Sequence, residues 1–428
     1  MMARLLLYVL GAWGGFLALL VWRRLAGISF WVALGFPAKV VAVLLSWRVV
    51  AESCGLSRTP QRSRQCGSPA VAPRLGFPRP TRFGWMVTAR MHPGQTPLDY
   101  VKAADGLAHA WRVGAVRVHP SRPGHVRLSA TVNDPLKTVT AAPSRSSRRS
   151  AGELLVVSPG RLETGHPWLM NFRLVPHWLI VGCTSSGKST LLNAIVTQLA
   201  SQPVALAGFD LKGGVELAPY APRLSVLATS RAECVSALRD VLTLIDQRMR
   251  VCRSAGVRDV WRLPDVTRPT PLVIVVDEVA ELFLMSDRAE KDEVSATATA
   301  LLRTAQLGRA FGVHLLVCGQ RVGSDLGPGV TALRSQLSGR VCHRVNDVET
   351  ALMALGDRGP DALSAAQAIP PTQPGVAVVS LDDGTWARAR AVYVTSEQAT
   401  QAARDHAGLA VPWQHLLNPP TPALKEAA

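Results

Sequence analysis

Apolar residues fall into two patterns along the 428-residue chain. Two long apolar runs, 5–22 and 25–47, occupy the N-terminal part, whereas the later runs are short and end in polar residues or glycine. Long runs are typical of membrane helices, and short runs of strands buried in a parallel sheet. The pattern predicts a helical membrane anchor followed by α/β structure.

The number of membrane spans is open at this stage. The run 5–22 is uncharged, is longer than the apolar core of a usual signal peptide, and is followed by no small-residue cleavage site. The run 25–47 contains Pro37 and Lys39, and a central lysine costs roughly 2.5–3.5 kcal/mol on insertion scales. The distribution of basic residues favours one span, but the length of both runs favours a hairpin, which we expect.

Changes in composition divide the rest of the chain. Two segments rich in Arg, Pro and Ser flank a region whose pattern predicts a strand, a helix and two further strands, at 85–89, 97–111, 113–118 and 125–132. The expected segments are an anchor at 1–50, a basic linker at 51–82, a small α+β module at 83–137, a second basic linker at 138–152, an α/β domain at 153–395, and a C-terminal helix and tail at 396–428.

One octapeptide, residues 182–189, carries the strongest chemical signal. It reads Gly-Cys-Thr-Ser-Ser-Gly-Lys-Ser between an apolar run, 178–181, and a helix-like stretch, 191–199. The motif predicts a phosphate loop and not a Gly/Ser turn without a ligand: backbone N–H groups would surround the β-phosphate, Lys188 would reach the β and γ oxygens, and the Ser189 hydroxyl would ligate Mg²⁺. The residues expected to bind ATP are Gly182, Cys183, Thr184, Ser185, Ser186, Gly187, Lys188, Ser189 and Thr190.

Polar side chains end two further apolar runs. Asp277 and Glu278 follow the run 271–276, and Gln320 follows the run 313–318. Because parallel strands deliver their carboxyl ends to one edge, we expect Asp277 to hold Mg²⁺ and Glu278 to orient the attacking water. Gln320 either senses the γ-phosphate or is satisfied by a loop carbonyl.

Charge and cysteine content narrow the class of protein. The chain has 47 Lys and Arg against 30 Asp and Glu, a formal net charge of +17, which indicates an anionic partner, either nucleic acid or a membrane surface. The seven cysteines are scattered without a C-x-x-C pair, which suits reduced thiols in a cytoplasm and does not fit a zinc site.

Further segments carry a family resemblance. The run 204–209 is followed by Asp-Leu-Lys-Gly-Gly-Val-Glu at 210–216, and residues 307–315 read Leu-Gly-Arg-Ala-Phe-Gly-Val-His-Leu. With the phosphate loop and the acidic strand end, in this order over roughly residues 153–395, they resemble the FtsK/SpoIIIE family of DNA translocases. The resemblance implies a RecA-like P-loop ATPase core, using ATP and Mg²⁺, that forms a homo-hexameric ring and pumps double-stranded DNA.

A ring of this kind needs an arginine offered to the neighbouring subunit's γ-phosphate, where it neutralises transition-state charge. By resemblance the candidates are Arg309 and Arg321, and each also fits an ordinary solvated face. DNA contacts are expected from two basic segments read as irregular, 253–262 and 322–340, or these are ordinary solvated loops. The expected DNA-binding residues are Arg253, Arg258, Arg262 and Arg334.

The membrane part is short, and about thirty residues follow Val394, too few for a winged-helix module. Three stretches add to this: Ser-Trp-Arg at 46–48, Glu-Ser-Cys-Gly-Leu at 52–56, and Pro-Gly-Gln-Thr-Pro-Leu-Asp-Tyr at 93–100. In these features the chain looks similar to the FtsK-like conjugal transfer proteins of actinobacterial plasmids and integrative elements. We therefore expect a DNA translocase for conjugal transfer, anchored in the cell membrane with its ATPase domain in the cytoplasm. The alternatives are chromosome segregation at a septum, or a coupling or secretion ATPase that exports protein or relaxase-bound single-stranded DNA.

Overall fold

The structure, a computed structural model, describes residues 13, 17–22, 25, 27–59, 70–141, 153–284, 287, 290–323, 326–327 and 329–418. The chain divides into two units, Met1–Pro135 and Leu136–Ala428. The expected first membrane helix, 5–22, lies largely outside the described residues. Within them, one helix, Trp31–Ser53, has the length and hydropathy needed to cross a bilayer.

The first unit combines this apolar helical stretch with an antiparallel sheet. Helix α1 (Gly27–Phe30) is followed by a π-helical turn and by α2 (Phe36–Ser53). Strand β3 (Gly84–Arg90) pairs with β5 (His125–Thr131), and β5 pairs with β4 (Ala115–Pro120), while two short strands pair with the other edge of β3. The remaining elements are β1 (Arg74–Leu75), β2 (Arg79–Thr81) and α3 (Pro97–Ala110).

The core of this unit is rich in tryptophan. The Trp111 ring lies 5.9 Å from that of Trp47 on α2 and 4.9 Å from that of Trp85 on β3. Helix α3 begins with Pro97 and a capping box in which Asp99 accepts from the backbone of Thr96. The expected α+β module is present, and β1 and β2 join it from residues that the pattern assigns to the linker. These strands are short and rich in Arg and Pro, so no alternation of apolar residues marked them.

The second unit is built on a ten-stranded sheet of order β10-β9-β11-β12-β8-β13-β14-β15-β6-β7. The first six strands in this order are parallel, and the last four add antiparallel pairs. The strands are β6 (Val156–Leu162), β7 (Pro167–Asn171), β8 (His177–Val181), β9 (Ala205–Phe209), β10 (Val226–Ala228), β11 (Leu272–Val276), β12 (Val313–Gly319), β13 (Gly339–His343), β14 (Val376–Ser380) and β15 (Trp386–Ala391).

Helices cover both faces of this sheet, which explains the continuous apolar runs. On β11, Leu272 and Ile274 pack into one core with α5 (Arg231–Ser254) and α6 (Lys291–Leu307), while Val273 packs into the other core with α4 (Lys188–Ala200). A strand buried on both faces has no polar alternation. The other helices of this unit are α7 (Val330–Gln336), α8 (Val348–Leu355), α9 (Pro360–Gln367), α10 (Ser396–Asp405) and α11 (Trp413–Leu417).

The strand order decides where the site lies. Strand β11 lies between β9 and β12, and β12 pairs with β8 so that Gly319 is opposite Val181. Because these strands are parallel, the residues that follow β8, β9, β11 and β12 meet at one edge of the sheet, which we call the carboxyl edge.

Candidate nucleotide-binding site

The phosphate loop, residues 182–189, joins β8 to α4 at the carboxyl edge. Ser185 and Gly187 have positive φ values of 60° and 107°. A Cβ atom on Gly187 would lie 2.2 Å from the backbone nitrogen of Gly375, which donates to the Ser186 carbonyl at 2.9 Å. Only glycine fits this close approach, so the sequence at 187 fixes the curvature of the loop.

The loop presents its backbone donors at the start of a helix. Lys188 begins α4, and in the described part of the chain the N–H groups of Gly187, Lys188 and Ser189 have no backbone acceptor. Unsatisfied N–H groups and the positive end of the helix dipole favour an anion at this position. The side chains of Thr184, Ser185 and Ser189 are exposed at the same place, and that of Thr190 is half-buried.

Two carboxylates face the loop from the end of β11. Asp277 and Glu278 are 7% and 5% exposed, so their charges need partners. The Lys188 ammonium lies 3.5 Å from Glu278 Oε2, and the backbone N–H of Gln320 donates to Glu278 Oε1 at 3.2 Å. The structure thus brings together the expected residues of three strand ends, although the Gln320 side chain itself is exposed.

A second lysine, which sequence reasoning did not select, completes this cluster. The Lys212 ammonium lies 3.3 Å from Asp277 Oδ2 and 3.9 Å from Glu278 Oε2. Burial disfavours its charge, but the two carboxylates outweigh burial and raise the pKa of Lys212. The sequence signal for Lys212 is its position just after the apolar run that forms β9. The structure shows that β9 lies beside β11.

The turn that carries Lys212 is shaped by a buried acid. Asp210 is fully buried, and its carboxylate accepts from the backbone N–H groups of Lys212 at 3.2 Å and Leu217 at 3.0 Å. Gly213 and Gly214 both have a φ of 77°, which lets the chain turn back between these two bonds. Asp210 therefore holds the turn rather than facing the cluster.

The residues of the cluster suit a magnesium nucleotide. Carboxylate and hydroxyl oxygens are the ligands that Mg²⁺ prefers, and Asp277 and Ser189 supply one of each. The exposed N–H groups and Lys188 supply positive partners for phosphate oxygens. A magnesium site built from these oxygen ligands needs no sulfur ligand.

The arginines expected to act in trans lie at opposite edges of the sheet. Arg321 follows β12 at the carboxyl edge, where it contacts Glu349 at 3.3 Å. Arg309 precedes β12, in a turn at Gly308–Phe311, and lines a cavity of about 820 Å³ at the opposite edge. The arginines that line this cavity are Arg173, Arg258, Arg262 and Arg309.

The surroundings of the expected DNA-binding arginines differ. Arg262 contacts Asp259 at 3.2 Å, and the Arg173 guanidinium lies over Trp261 at 4.9 Å. The prediction of irregular structure was wrong in part. Arg253 lies in the last turn of α5, and Arg334 lies on α7, where it donates to the Val322 carbonyl at 3.0 Å. Mixed charge obscured the end of α5, and glycines obscured the short helix α7.

Fold and site together define a P-loop ATPase. Residues 139–324 match the FtsK/SpoIIIE family, and residues 19–132 match the actinomycete conjugal transfer protein N-terminal domain. The chain belongs to the FtsK/SpoIIIE family and is an ATP-hydrolysing enzyme. The expected family and α/β P-loop fold are confirmed.

Three comparisons show how far the similarity extends. The chain is 39% identical to the transfer protein TraSA of Streptomyces ambofaciens over 85% of this chain and 91% of that protein. It is 42% identical to a sporulation regulatory protein of Streptomyces azureus over 67% of this chain and 93% of that protein. The pCW3 conjugation coupling protein TcpA, in its monomer form with ATPγS, shares the fold, with a TM-score of 0.57 at 17% identity over 86% of this chain and 99% of that one.

Proposed function

We propose that this chain is an ATP-driven translocase of double-stranded DNA that acts in conjugal transfer. The observation that carries the proposal is the convergence of Lys188 and Lys212 on Asp277 and Glu278 at the carboxyl edge. Its context is a family of DNA translocases and a relative named as a transfer protein that matches most of the chain. The formal charge of +17 suits a polyanionic substrate.

In the proposed mechanism the phosphate loop would hold the ATP phosphates, and Ser189 and Asp277 would hold Mg²⁺. The metal supplies positive charge to the γ-phosphate oxygens when it is bound. Lys188 contacts Glu278 at 3.5 Å in the structure, and we propose that its ammonium leaves Glu278 when it binds a phosphate. We propose that this movement frees the Glu278 carboxylate to orient water, and that Gln320, whose backbone N–H donates to Glu278, responds to the γ-phosphate. Nucleotide binding and catalytic readiness are thereby coupled.

The proposed assembly is a homo-hexameric ring around DNA. Strand β12 has seven residues, so its two ends are about 20 Å apart and Arg309 cannot reach its own chain's phosphate loop. This position supports a role toward a neighbouring subunit, whereas Arg321 lies at the same edge as the loop. We assign the trans role to Arg309 on this basis.

DNA contacts are proposed at Arg253, Arg258, Arg262 and Arg334. Arg258 and Arg262 line the same cavity as Arg309. This cavity faces either a neighbouring subunit or the pore of the ring. Arg258 and Arg262 contact DNA only if it opens toward the pore. The effect of replacing both arginines on the salt dependence of DNA binding separates the two arrangements.

The N-terminal segment is proposed to hold the protein at the cell membrane with the ATPase domain in the cytoplasm, where nucleotide is available. The apolar helix Trp31–Ser53 supports this proposal. The division into anchor, linkers, small module, ATPase domain and tail at the boundaries given above is part of the same proposal.

A triplex-displacement assay with the full chain tests the function. We expect ATP-dependent displacement on duplex DNA that is abolished by Lys188→Ala and retained by Lys291→Ala, an exposed lysine on α6. ATPase activity that responds only to a protein substrate, or displacement only on single strands, would identify a coupling or secretion ATPase instead. Loss of marked-plasmid transfer in a deletion strain with normal septation would separate conjugation from chromosome segregation.

A further inference from the structure

Helix α2 is apolar on both of its faces, although only one face packs against other described residues. Val40, Val43, Trp47 and Val50 are buried, and they recur at helical spacing. Between them Val41, Leu44, Leu45 and Val49 are exposed, with Leu45 at 79% and Val49 at 67%. A helix that is hydrophobic all round is expected in a protein core or in contact with lipid.

The packed face holds α2 against the small module of the first unit. The Lys39 ammonium donates to the Trp111 carbonyl at 3.1 Å, and the Trp47 indole donates to the Pro73 carbonyl at 2.6 Å. From Lys39 to Ser53 the helix therefore runs about 22 Å along folded protein. A helix that crossed the bilayer over this length would carry the polar surface of the module into the hydrocarbon, which is costly.

The exposed face of α2 borders a cavity of about 520 Å³ with a basic rim. Arg48 on α2 and Arg74 on β1 line it, and among the described residues neither guanidinium contacts a carboxylate. Its other lining residues are apolar: Leu44, Trp47, Val71, Ala72, Pro73 and Leu75. Glu52 is the exposed acid one turn beyond Arg48 on α2.

We infer that α2, from Lys39 onward, lies along the surface of an anionic phospholipid bilayer instead of crossing it. The exposed face formed by Val41, Leu45 and Val49 enters the headgroup and acyl boundary. Arg48 and Arg74 bind lipid phosphate at the rim of the cavity, and the apolar floor takes the adjoining acyl carbons. The inference rests on the membrane association proposed above and adds its lipid class and its geometry.

Depth measurements on the full chain in proteoliposomes test the geometry. Spin labels are placed singly at Val41→Cys, Leu45→Cys and Val49→Cys, in a background where Cys54, Cys66 and Cys183 are Ser. We expect all three at a similar depth, about 5–10 Å below the headgroups, because the helix lies in the plane. A steady change of about 12 Å from 41 to 49 would show a spanning helix and overturn the inference. Labels shielded from both oxygen and aqueous nickel would show that protein, such as a second copy, covers the face.

A second measurement tests the lipid class. A polarity-sensitive dye at Leu45→Cys should shift to the blue in phosphatidylglycerol vesicles and much less in phosphatidylcholine. Arg48→Ala with Arg74→Ala should lose most of this difference, whereas Lys102→Ala with Arg127→Ala, two exposed cations of the same unit, should keep it. Equal losses of this difference in the two double variants would show that the effect depends on net charge alone and would contradict a lipid site at the cavity. If the dye reported an aqueous environment with every lipid, the result would instead contradict the membrane association itself.

Discussion

The Lys212 ammonium lies 3.3 Å from the Asp277 carboxylate, although the two residues follow different strands. Parallel pairing of β9 with β11 brings their carboxyl ends side by side, with Phe209 opposite Val276. The Lys212 ammonium therefore contacts a carboxylate oxygen of Asp277 that we expect to bind Mg²⁺. We expect the metal to displace this ammonium when it binds.

Replacing Lys212 with Met should lower the Mg²⁺ concentration needed for half-maximal ATPase activity by several-fold, because Asp277 would no longer be engaged by a cation. The measurement is a Mg²⁺ titration at fixed ATP. Lys291→Met removes the same charge from an exposed position on α6 and should leave the titration unchanged. An unchanged or higher Mg²⁺ requirement in Lys212→Met would mean that the ammonium assists metal binding.

Gly187→Ala should abolish nucleotide binding and reduce the free energy of unfolding. The new Cβ would lie 2.2 Å from the Gly375 nitrogen, at a φ of 107° that alanine rarely adopts. Backbone strain alone is worth about 1–3 kcal/mol, and the clash adds to it. Urea unfolding and fluorescent-nucleotide binding report the two effects.

The matched control is Gly384→Ala. Gly384 has a φ of 82°, but no atom lies within 4 Å of the position of its Cβ. We expect only the strain cost and normal nucleotide binding. Similar binding loss in both variants would show that the phosphate loop is not uniquely sensitive to this contact.

Stability should depend on pH through three buried histidines. Burial lowers the pKa of His177 and His343 to about 4 and that of His314 to about 3. In the unfolded chain these histidines bind protons near pH 6.5, whereas in the folded chain they do not. Their contribution to the free energy of unfolding is therefore fully present above about pH 6.5 and is lost as the pH drops toward 4. Urea midpoints between pH 8 and pH 5 measure this slope.

A variant isolates one of these histidines. His343 is fully buried, and its Nδ1 contacts the Val376 carbonyl at 3.0 Å. His343→Gln should reduce the slope of stability against pH. A slope that is the same in wild type and His343→Gln would place the proton uptake elsewhere.

The sequence predicted motifs formed by consecutive residues better than it predicted which distant segments lie side by side in the fold. The phosphate loop and the Asp277-Glu278 strand end follow from spacing, because each depends on consecutive residues. Lys212 was missed, since only the strand order shows that the turn after β9 lies beside the end of β11. The edge occupied by Arg309 depends on the direction of β12 relative to β8, which no local pattern contains.

The same limit applies to the apolar helix. Its composition indicates a membrane segment, but the bond between Lys39 and the Trp111 carbonyl joins residues far apart in the sequence. That contact explains how a lysine is accommodated within an apolar run. It also supports the inference that this run is a packed helix with one exposed face and not a span.

Salt dependence should reveal whether Arg258 and Arg262 contact DNA. If both bind phosphates, replacing them with Ala should reduce the slope of log affinity against log salt by about two. Filter binding or fluorescence anisotropy between low and moderate salt gives this slope. Arg239→Ala with Arg250→Ala, exposed on α5, is the control pair. An unchanged slope would remove Arg258 and Arg262 from the pore and leave the cavity to a subunit interface.

Arg309→Ala should reduce ATPase activity by on the order of 10³-fold or more if the guanidinium acts on a neighbour's γ-phosphate. Glu278→Gln should also be inactive, because its own site lacks the water-orienting carboxylate. Mixing the two inactive variants should then restore activity. In a ring of heterologous interfaces, about a quarter of the interfaces would pair an intact Glu278 with an intact Arg309. Mixtures with Arg321→Ala in place of Arg309→Ala test the other candidate, and recovery only in those would move the trans role to Arg321.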